Sequence, residues 1–591
     1  MSRRALVLLL VCGLVIPLFG CSSGPDPNDR FLAFAEALQE RDAKAAAAQT
    51  DDPSSAEPTI TAMFDGMGDG AGVRVSTQSV DDDDASSTLT YQWSFGPGRD
   101  FSYDTTGTAK QTDDDWRISW SPSLLHRDLR PGQQFQFSED TNLQTPVLDR
   151  AGQALLSWQT VGVVTLDRAH VGSAADLATV LSQFDESTTP ESIAAQFDST
   201  ADQTVTVMKL RESDLASVSD RLAGIPGVTV TEQGELLTTD KELSSPAIDG
   251  MPTLWHDRIT KSAGWSVYLV DDKGAPAVRL TSAPPGVTDP VRTTLDLRLQ
   301  LLAQTAVAQE TRPTVLVALS GSTGGILAAA QNPAADAQGA PVFSGLYPPG
   351  STFKTITTAA ALDADLVSPD TPVACPGRDT IENRTIPNDD EFDLGTVPLT
   401  EAFAHSCNTT MGALADRLPP DALAKTAREF GMGVDYVIPG LTTVTGRVPN
   451  ADTAAQRVES GIGQGAVTVS PFGLAVAEAS LAHGSTILPN LVDGETSTAD
   501  TPPTQLPKDI VDALRAMMRQ TVTEGTATEL SDIEGLGGKT GTAEFGDNTH
   551  SHGWFAGIVG DIAFATLVVG GDSSAPALKV SGDFLRPALA G

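Results

Sequence analysis

Hydrophobic and polar positions alternate in different ways along the chain, and the changes divide it into regions. Apolar residues recur at helical spacing in NDRFLAFAEALQERD and again over Glu57 to Met67. Three segments then alternate apolar and polar residues, which predicts antiparallel strands. They read STLTYQWSFG, DFSYDTTGTAK and DDWRISWSPS. Residues 28–140 are therefore predicted to form a small α+β domain of helices and a curved sheet.

Two further regions follow. Residues 141–286 mix short β-rich runs, such as VTVMKLRES, with helical runs, such as SAADLATVLSQF, and end in a Pro/Gly-rich linker. This mixture predicts a second α+β domain with no obvious chemistry of its own. Residues 287–591 begin with a helix and two apolar strands and continue with an alanine-rich helical region. They end in GGKTGTAEF, SHGWFAGIVG and IAFATLVVGGD, which predict three consecutive sheet strands.

The amino terminus has the features of a secretion signal. Two arginines precede an apolar run of 16 residues, which is shorter than the roughly 20 residues needed to span a bilayer. This pattern predicts a signal peptide over residues 1–20. The sequence Leu-Phe-Gly-Cys at 18–21 resembles a bacterial lipobox, so Cys21 is the expected lipidation site and 21–27 a tether. The alternative is an uncleaved signal anchor. Both alternatives place the rest of the chain outside the cytoplasmic membrane.

Charge and cysteine content narrow the function classes. The chain has 591 residues and a formal net charge of −38, which argues against a nucleic-acid partner because such proteins present a basic surface. Beyond Cys12 and Cys21, the cysteines are Cys375 and Cys407. In an oxidising compartment these two can pair, or they can remain two buried thiols. The sequence contains no C-x-x-C and no Cys/His cluster, so neither a metal nor a cofactor is expected.

A serine and a lysine stand out in LYPPGSTFKTITTAAAL, residues 346–362. Ser351 begins an apolar helix and Lys354 follows three residues later, which places both on one face. A serine hydroxyl becomes a useful nucleophile when a neighbouring base takes its proton. Lys354 can be that base if burial and a second cation lower its pKa. No other lysine in the sequence has a serine three residues before it.

Two more motifs follow in order. Ser406-Cys407-Asn408 lies within EAFAHSCNTTMGAL, and on its own such a triplet is simply a helix cap. Lys539-Thr540-Gly541-Thr542 heads an apparent strand, where its glycines allow close approach to a ligand and Lys539 supplies the second cation. Together, the three motifs form the S-x-x-K, S-x-N and K-T-G set of penicillin-recognising serine enzymes.

On these motifs, the sequence resembles a class B penicillin-binding protein, a monofunctional D,D-transpeptidase of peptidoglycan synthesis. PPGSTFK is similar to the nucleophile segment of that family, and VLDRAG and IPGV are similar to parts of its pedestal domain. The resemblance implies a multidomain α+β fold. A nuclear-transport-factor-like cone would occupy residues 28–140 and a pedestal, or dimerisation-type, domain residues 141–286. A serine β-lactamase/transpeptidase-like domain, an antiparallel sheet with helices on both sides, would occupy residues 287–591.

The resemblance also implies roles for the residues of the first two motifs. Ser351 would attack the carbonyl between the two terminal D-alanines of a stem peptide and form an acyl-enzyme. Lys354 would accept the proton of Ser351. Ser406 would relay a proton to the leaving D-alanine, and Asn408 would hold the substrate amide.

The third motif would bind the substrate's end. By resemblance, Lys539 and Thr540 would bind the terminal carboxylate beside Gly541, and Thr542 would complete that contact. The backbone N–H groups of Ser351 and Thr542 would form the oxyanion hole, where one donor is worth about 10²–10³ in rate.

The resemblance names partners, a location and rival functions. The implied partners are stem peptides ending in D-Ala-D-Ala, β-lactams as covalent inhibitors, the membrane through a lipid anchor, and a glycan polymerase. The implied location is the outer face of the bacterial cytoplasmic membrane. The alternatives are a D,D-carboxypeptidase or serine β-lactamase, or a non-catalytic β-lactam-binding protein. A class A β-lactamase needs the glutamate of an E-x-x-L-N segment, and the nearest string here, EASLA at 478–482, lacks the asparagine.

Overall fold

The described chain divides into two compact units. The computed structural model describes residues 26–81, 85–112, 115–381, 384–546 and 549–590. The first unit runs to Asn142 and includes Ser262–Val287, and the second comprises Leu143–Lys261 and the chain from Thr288 onward. The predicted signal peptide and the lipidation site Cys21 lie outside the described residues. Among the helices that the structure describes, none is long and apolar enough to cross a membrane.

Strands are distributed through most of the described chain, often several in succession. The strands are β1 (Gly72–Thr77), β2 (Ser86–Ser94), β3 (Asp100–Thr112), β4 (Asp115–Ile118), β5 (Gln134–Asp140), β6 (Val147–Leu148), β7 (Ala154–Asp167), β8 (Thr204–Arg211), β9 (Val228–Thr238), β10 (Gly264–Val270), β11 (Pro276–Ala283), β12 (Val291–Arg292), β13 (Thr314–Ser320), β14 (Ile326–Gln331), β15 (Pro372–Cys375), β16 (Arg378–Ile381), β17 (Arg384–Pro387), β18 (Gly395–Pro398), β19 (Tyr436–Val437), β20 (Gly446–Arg447), β21 (Thr468–Val469), β22 (Thr498–Ala499), β23 (Gly537–Phe545), β24 (His550–Val559) and β25 (Ile562–Val568).

The α-helices are α1 (Pro27–Gln39), α2 (Ala43–Ala47), α3 (Pro53–Met67), α4 (Ala174–Leu181), α5 (Pro190–Asp198), α6 (Glu212–Ala216), α7 (Ser219–Ala223), α8 (Met251–Lys261), α9 (Leu297–Ala308), α10 (Pro333–Asp336), α11 (Pro341–Ser344), α12 (Lys354–Asp363), α13 (Leu399–Ala404), α14 (Asn408–Asp416), α15 (Ala422–Glu429), α16 (Ala454–Gly461), α17 (Pro471–His483), α18 (Lys508–Thr523) and α19 (Ala575–Leu589). Short 3₁₀ turns occur at Pro122–Leu124, Arg168–Ser173, Pro246–Ile248, Gly350–Phe353, Asp389–Glu391 and Thr528–Leu530.

The first unit packs helices α1–α3 against antiparallel strands in the order β1-β2-β3-β4. The Asp26 side chain caps α1 and Pro27 occupies its first turn, which fixes where the helix begins. Along β2, buried and less buried residues alternate, so Leu89, Tyr91 and Trp93 face the core. The α+β architecture predicted from the alternating segments is confirmed.

The first unit also contains a chain segment from far along the sequence. β10 hydrogen-bonds to β5 on one side and to β11 on the other, all antiparallel. Trp265, Val267 and Leu269 are buried in the same apolar cluster as Phe135. The structure therefore places Ser262–Val287 with the amino-terminal unit, whereas the sequence pattern grouped these residues with 141–286.

Residues 143–261 form an α+β region of the second unit. The long strand β7 pairs antiparallel with β8 on one edge and with β9 on the other. Helices α4, α5 and α7 cover this sheet through a cluster that includes Leu177, Phe197 and Leu222. At the start of the region, parallel pairing of β6 with β12 joins it to the segment that leads into α9.

The carboxyl-terminal part is built on an antiparallel sheet with the order β14-β13-β25-β24-β23. Helices α9 and α19 pack on one face, where Phe555 and Phe564 point, and α17 packs on the other face, where Trp554 and Ala565 point. Nearly every residue of β13, β24 and β25 is buried because helices cover both faces. The expected antiparallel sheet with helices on both sides is confirmed.

One buried acid interrupts the apolar helix α17. Glu478 is 2% exposed, and its Oε2 accepts no hydrogen bond from a described residue. Burial raises the pKa of Glu478 from 4.5 to about 8. The folded state therefore holds a proton that the unfolded state releases over this range, so Glu478 lowers stability as pH rises from 4.5 towards 8.

Replacing Glu478 should change how stability depends on pH. In Glu478→Gln nothing ionises at this position, so the free energy of unfolding should fall less steeply than in the wild type between pH 5 and 8. The slopes should differ by up to about 1.4 kcal/mol per pH unit. Denaturant titrations across this range measure the difference, with the exposed Glu534→Gln as control. Parallel curves for wild type and Glu478→Gln would show that Glu478 does not carry the extra proton.

Candidate active site

The turn that carries Ser351 is pinned from three sides. Gly350 has φ +52°, and a Cβ at this position would lie 2.5 Å from the Thr542 carbonyl oxygen of β23. The Gly350 N–H donates to the Gly463 carbonyl at 2.9 Å. The indole N–H of Trp554 donates to the Pro348 carbonyl at 3.0 Å. The serine is therefore held against the edge of the sheet.

Ser351 and Lys354 lie on the same side of this turn. Ser351 belongs to the 3₁₀ turn Gly350–Phe353, and α12 starts directly at Lys354. Residues three apart eclipse each other in a 3₁₀ turn, so the two side chains point the same way. Ser351 lines a cleft of about 730 Å³, and its Oγ makes no hydrogen bond to a described residue. The spacing that predicted a common face thus corresponds to a 3₁₀ turn that leads directly into α12.

Lys354 joins the first motif to the second. Its side chain is fully buried, and its Nζ donates to the Ser406 carbonyl at 2.7 Å and to the Asn408 Oδ1 at 2.5 Å. Nζ also lies 3.1 Å from the Ser406 Oγ. This last contact can run in either direction, because a hydroxyl can donate to the lone pair of a neutral amine.

The two buried lysines have lowered pKa values. Burial, and then the neighbouring Lys539, hold the pKa of Lys354 well below its usual value, while the charge of Asp389 opposes this shift. Burial lowers the pKa of Lys539 to about 7. The Nζ of Lys539 donates to the Thr540 carbonyl at 3.1 Å and lies 5.8 Å from the ring centre of Phe403. This environment favours the neutral form of Lys354, and it leaves Lys539 able to carry a positive charge below a pH of about 7.

The third motif lies along β23, the last strand in the sheet order, which pairs with β24. Gly541 faces the nucleophile turn, and a Cβ there would be 2.8 Å from the Pro349 carbonyl oxygen. The hydroxyls of Thr540 and Thr526 are 2.6 Å apart. Thr542 is partly exposed and lines the cleft. This strand can therefore present two threonine side chains to an extended ligand.

The cleft brings the three motifs together. Its lining includes five residues singled out in the sequence: Ser351, Ser406, Asn408, Thr540 and Thr542. Lys354, Lys539 and Gly541 are buried behind these residues. Within the residues that the structure describes, no cluster of His, Cys, Asp and Glu side chains could hold a metal ion.

The second motif is held by a disulfide. Cys375 and Cys407 are joined, with their Cα atoms 6.0 Å apart, so the structure selects pairing over two free thiols. The bond links the residue between Ser406 and Asn408 to strand β15. Ser406 itself has φ +62°, a left-handed conformation that is strained for a residue with a Cβ.

Sequence reasoning missed three residues of this site. Asn388 and Thr526 line the cleft, and Gly463 contacts the Gly350 turn, where a Cβ on Gly463 would meet the Gly350 carbonyl oxygen at 2.0 Å. Gly463 has a local signal, since it is the middle one of the three glycines in SGIGQG. Thr526 and Asn388 have none, because their partners lie 14 and 20 residues away.

Two models of known protein families match this chain, one at each end. Residues 314–590 match a family model described as the penicillin binding protein transpeptidase domain. Residues 26–133 match one described as the NTF2-like N-terminal transpeptidase domain. In the solved complex between Penicillin-Binding Protein (PBP2) and MreC from Helicobacter pylori, one chain aligns with a TM-score of 0.58 and 15% identity, covering 78% of this chain and 99% of that one. That likeness concerns the fold alone.

Individual relatives match over different lengths. Peptidoglycan D,D-transpeptidase PbpA of Mycobacterium tuberculosis H37Rv is 34% identical over 237 residues, 37% of this chain and 47% of that protein. The PbpA of Mycolicibacterium smegmatis is also 34% identical, with 47% of its length covered. The chain thus spans about half the length of these relatives. Penicillin-binding protein 3 of Bacillus subtilis is 22% identical, with 94% of both chains covered.

The carboxyl-terminal match contains all three motifs. The amino-terminal match begins two residues before the predicted cone of 28–140 and ends within it. The chain therefore belongs to the penicillin-binding protein transpeptidases that carry an NTF2-like amino-terminal domain.

Proposed function

We propose that this protein is a penicillin-binding D,D-transpeptidase, which cross-links peptidoglycan stem peptides through an acyl-enzyme on Ser351. One observation carries the proposal. The Nζ of Lys354 contacts both Ser406 and Asn408 behind the cleft onto which Ser351 opens. The family and the names of its relatives support the same reaction.

Substrate binding is assigned to β23. A stem peptide ending in D-Ala-D-Ala would lie along this strand, with its terminal carboxylate at the hydroxyls of Thr540 and Thr542. Lys539, buried directly behind Thr540, would supply the positive charge. The Asn408 side-chain amide, at the other wall of the cleft, would hold the peptide amide.

Acylation moves one proton from serine to the leaving group. The Ser351 Oγ attacks the carbonyl carbon of the penultimate D-alanine while its proton passes to the neutral amine of Lys354. The backbone N–H groups of Ser351 and Thr542 stabilise the oxyanion. As the peptide bond breaks, Ser406 delivers a proton to the departing D-alanine amine and recovers one from Lys354.

Deacylation completes the cross-link. The amine of a neighbouring stem peptide attacks the ester carbonyl, a new amide forms, and Ser351 regains its proton. A β-lactam acylates Ser351 in the same way, but its leaving nitrogen stays attached to the ring-opened product. Against the β-lactamase alternative, Glu478 of EASLA is buried within α17 and is not part of the cleft lining.

The nucleophile can be tested by labelling. Labelled penicillin should form a long-lived adduct on the peptide that contains Ser351, and Ser351→Ala should remove it. Ser344→Ala, at an exposed serine nearby, should label like the wild type. Intact-mass analysis and peptide mapping measure both outcomes. An adduct on another residue would refute the assignment, and rapid loss of the adduct to water would favour a hydrolase.

The two lysines should respond differently to arginine. Lys354→Arg should lower the acylation rate by about 10²-fold or more, because a guanidinium does not release its proton in this pH range.

Lys539→Arg keeps the charge and should mainly weaken penicillin binding. In the wild type, binding should weaken above a pH of about 7 as Lys539 loses its proton, and Lys539→Arg should remove this dependence. Stopped-flow acylation from pH 6 to 9 measures both; near wild-type acylation by Lys354→Arg would exclude Lys354 as the base.

The proposal includes a location and partners. We place the protein on the outer face of the bacterial cytoplasmic membrane, anchored through a lipidated Cys21 and acting with a glycan polymerase. Mass spectrometry of the mature protein should find a diacylglyceryl cysteine at position 21, and Cys21→Ser should release the protein from membranes. A mature chain that still begins at Met1 would favour the signal-anchor alternative.

A further inference from the structure

Asn388 lies outside the three motifs, yet its side-chain amide makes several hydrogen bonds beneath the second one, four of them to backbone groups. Asn388 is 2% exposed, and it is the first residue after strand β17. The Asn388 Oδ1 accepts the backbone N–H of Asn408 at 2.8 Å and that of Thr409 at 3.2 Å. Its Nδ2 donates to the carbonyls of Pro376 and Phe392, both at 2.9 Å. This geometry satisfies both donors and both acceptor positions of the amide.

These contacts replace an ordinary helix cap. The first N–H groups of a helix have no partner within it, and a side chain at the residue before the helix commonly accepts one of them. Helix α14 begins at Asn408, and Cys407, the residue before it, makes no capping hydrogen bond and is bound in the disulfide. Asn388 supplies the missing acceptor from 20 residues upstream.

The same segment also fixes the Asn408 side chain. The Nδ2 of Asn408 donates to the Pro387 carbonyl at 3.0 Å, and its Oδ1 accepts from Lys354 Nζ at 2.5 Å. Both the backbone and the side chain of Asn408 are thus fastened to residues 387–388. Because the Asn408 Oδ1 sets one of the directions in which Nζ can donate, a shift of Asn408 would move the amine relative to Ser351.

We propose that Asn388 is a positioning residue for acylation, which holds Asn408 and through it the amine of Lys354 in line with Ser351. The inference rests on the proposed function. Asn388 acts through Asn408 and is assigned no contact with the reacting atoms. A misplacement of about 1 Å at a reacting group can cost about 10²-fold in rate. Removal of the Asn388 side chain should therefore lower the acylation rate much more than it lowers the affinity for penicillin.

The chain contains a matched control, Asn332. It is 3% exposed, and its Oδ1 accepts the backbone N–H groups of Thr314 and Ala335, both at 3.1 Å. Its Nδ2 donates to the carbonyls of Glu310 at 2.6 Å and Arg312 at 2.7 Å. Asn332 therefore has the same chemistry and burial as Asn388 in the same sheet-containing unit, but its hydrogen bonds reach no residue of the three motifs.

The test compares acylation of the full chain by labelled penicillin in wild type, Asn388→Ala, Asn388→Asp and Asn332→Ala. The maximum acylation rate, the apparent affinity and the melting temperature are measured for each. The melting temperature should decrease by a similar amount in both alanine variants. Asn388→Ala alone should lose maximum rate, by about 10–100-fold, with affinity within a few-fold of wild type. Asn388→Asp keeps the two acceptor contacts to α14 but loses the two donor contacts to the Pro376 and Phe392 carbonyls, so it should recover only part of the rate.

Asn388→Asp provides a second readout if Asn388→Ala does not fold. Its carboxylate stands next to Asp389, whose charge already favours protonated Lys354, so the acid limb of its acylation profile should move to higher pH. An unchanged profile, or an Asn388→Ala variant that acylates as fast as Asn332→Ala, would overturn the positioning role. Failure of wild type to be acylated at Ser351 would instead overturn the proposed function.

Discussion

Burial of the Lys354 amine is the constraint on which the catalytic half of the molecule depends. A buried ammonium or amine is costly unless acceptors surround it, and here three oxygens of Ser406 and Asn408 converge on Nζ. Each acceptor then needs support of its own. The disulfide at Cys407 and the Asn388 side chain provide that support, which explains why a strained φ at Ser406 can persist in the folded state.

A second constraint is steric. The turn that carries Ser351 lies against β23 because the two backbones approach each other more closely than a side chain between them would allow. Gly350, Gly463 and Gly541 each stand where a Cβ would meet backbone carbonyl oxygen within 3 Å. A methyl group at these positions would push the turn away from Thr542, whose N–H is one of the two proposed oxyanion donors. The glycines of the first and third motifs thus serve one contact, between the nucleophile turn and the sheet edge.

The sequence predicted what is encoded locally. Alternation predicted strands β2 and β3, spacing predicted a common face for Ser351 and Lys354, and three consecutive β-rich segments at the carboxyl end predicted strands β23, β24 and β25. Pairing between strands that are far apart in the sequence has no such local pattern. β10 joins β5 across more than a hundred residues, so residues 262–287 could not be assigned from their own pattern. Cysteine spacing alone says nothing of a Cα–Cα distance of 6.0 Å, and Asn388 reads locally as a loop residue.

The contacts of Lys354 also bear on the proposed reaction, in which one amine both takes and returns a proton. A neutral amine has two N–H bonds and one lone pair. The Ser406 carbonyl and the Asn408 Oδ1 are acceptors that cannot donate in these contacts, so they fix the two N–H directions. The lone pair is then left for a hydroxyl, and the Ser406 Oγ already lies 3.1 Å from Nζ. In the proposed reaction this lone pair receives the proton of Ser351, and Nζ then passes a proton on through Ser406. The acceptors that make burial of Lys354 possible therefore also decide where its basic electron pair points.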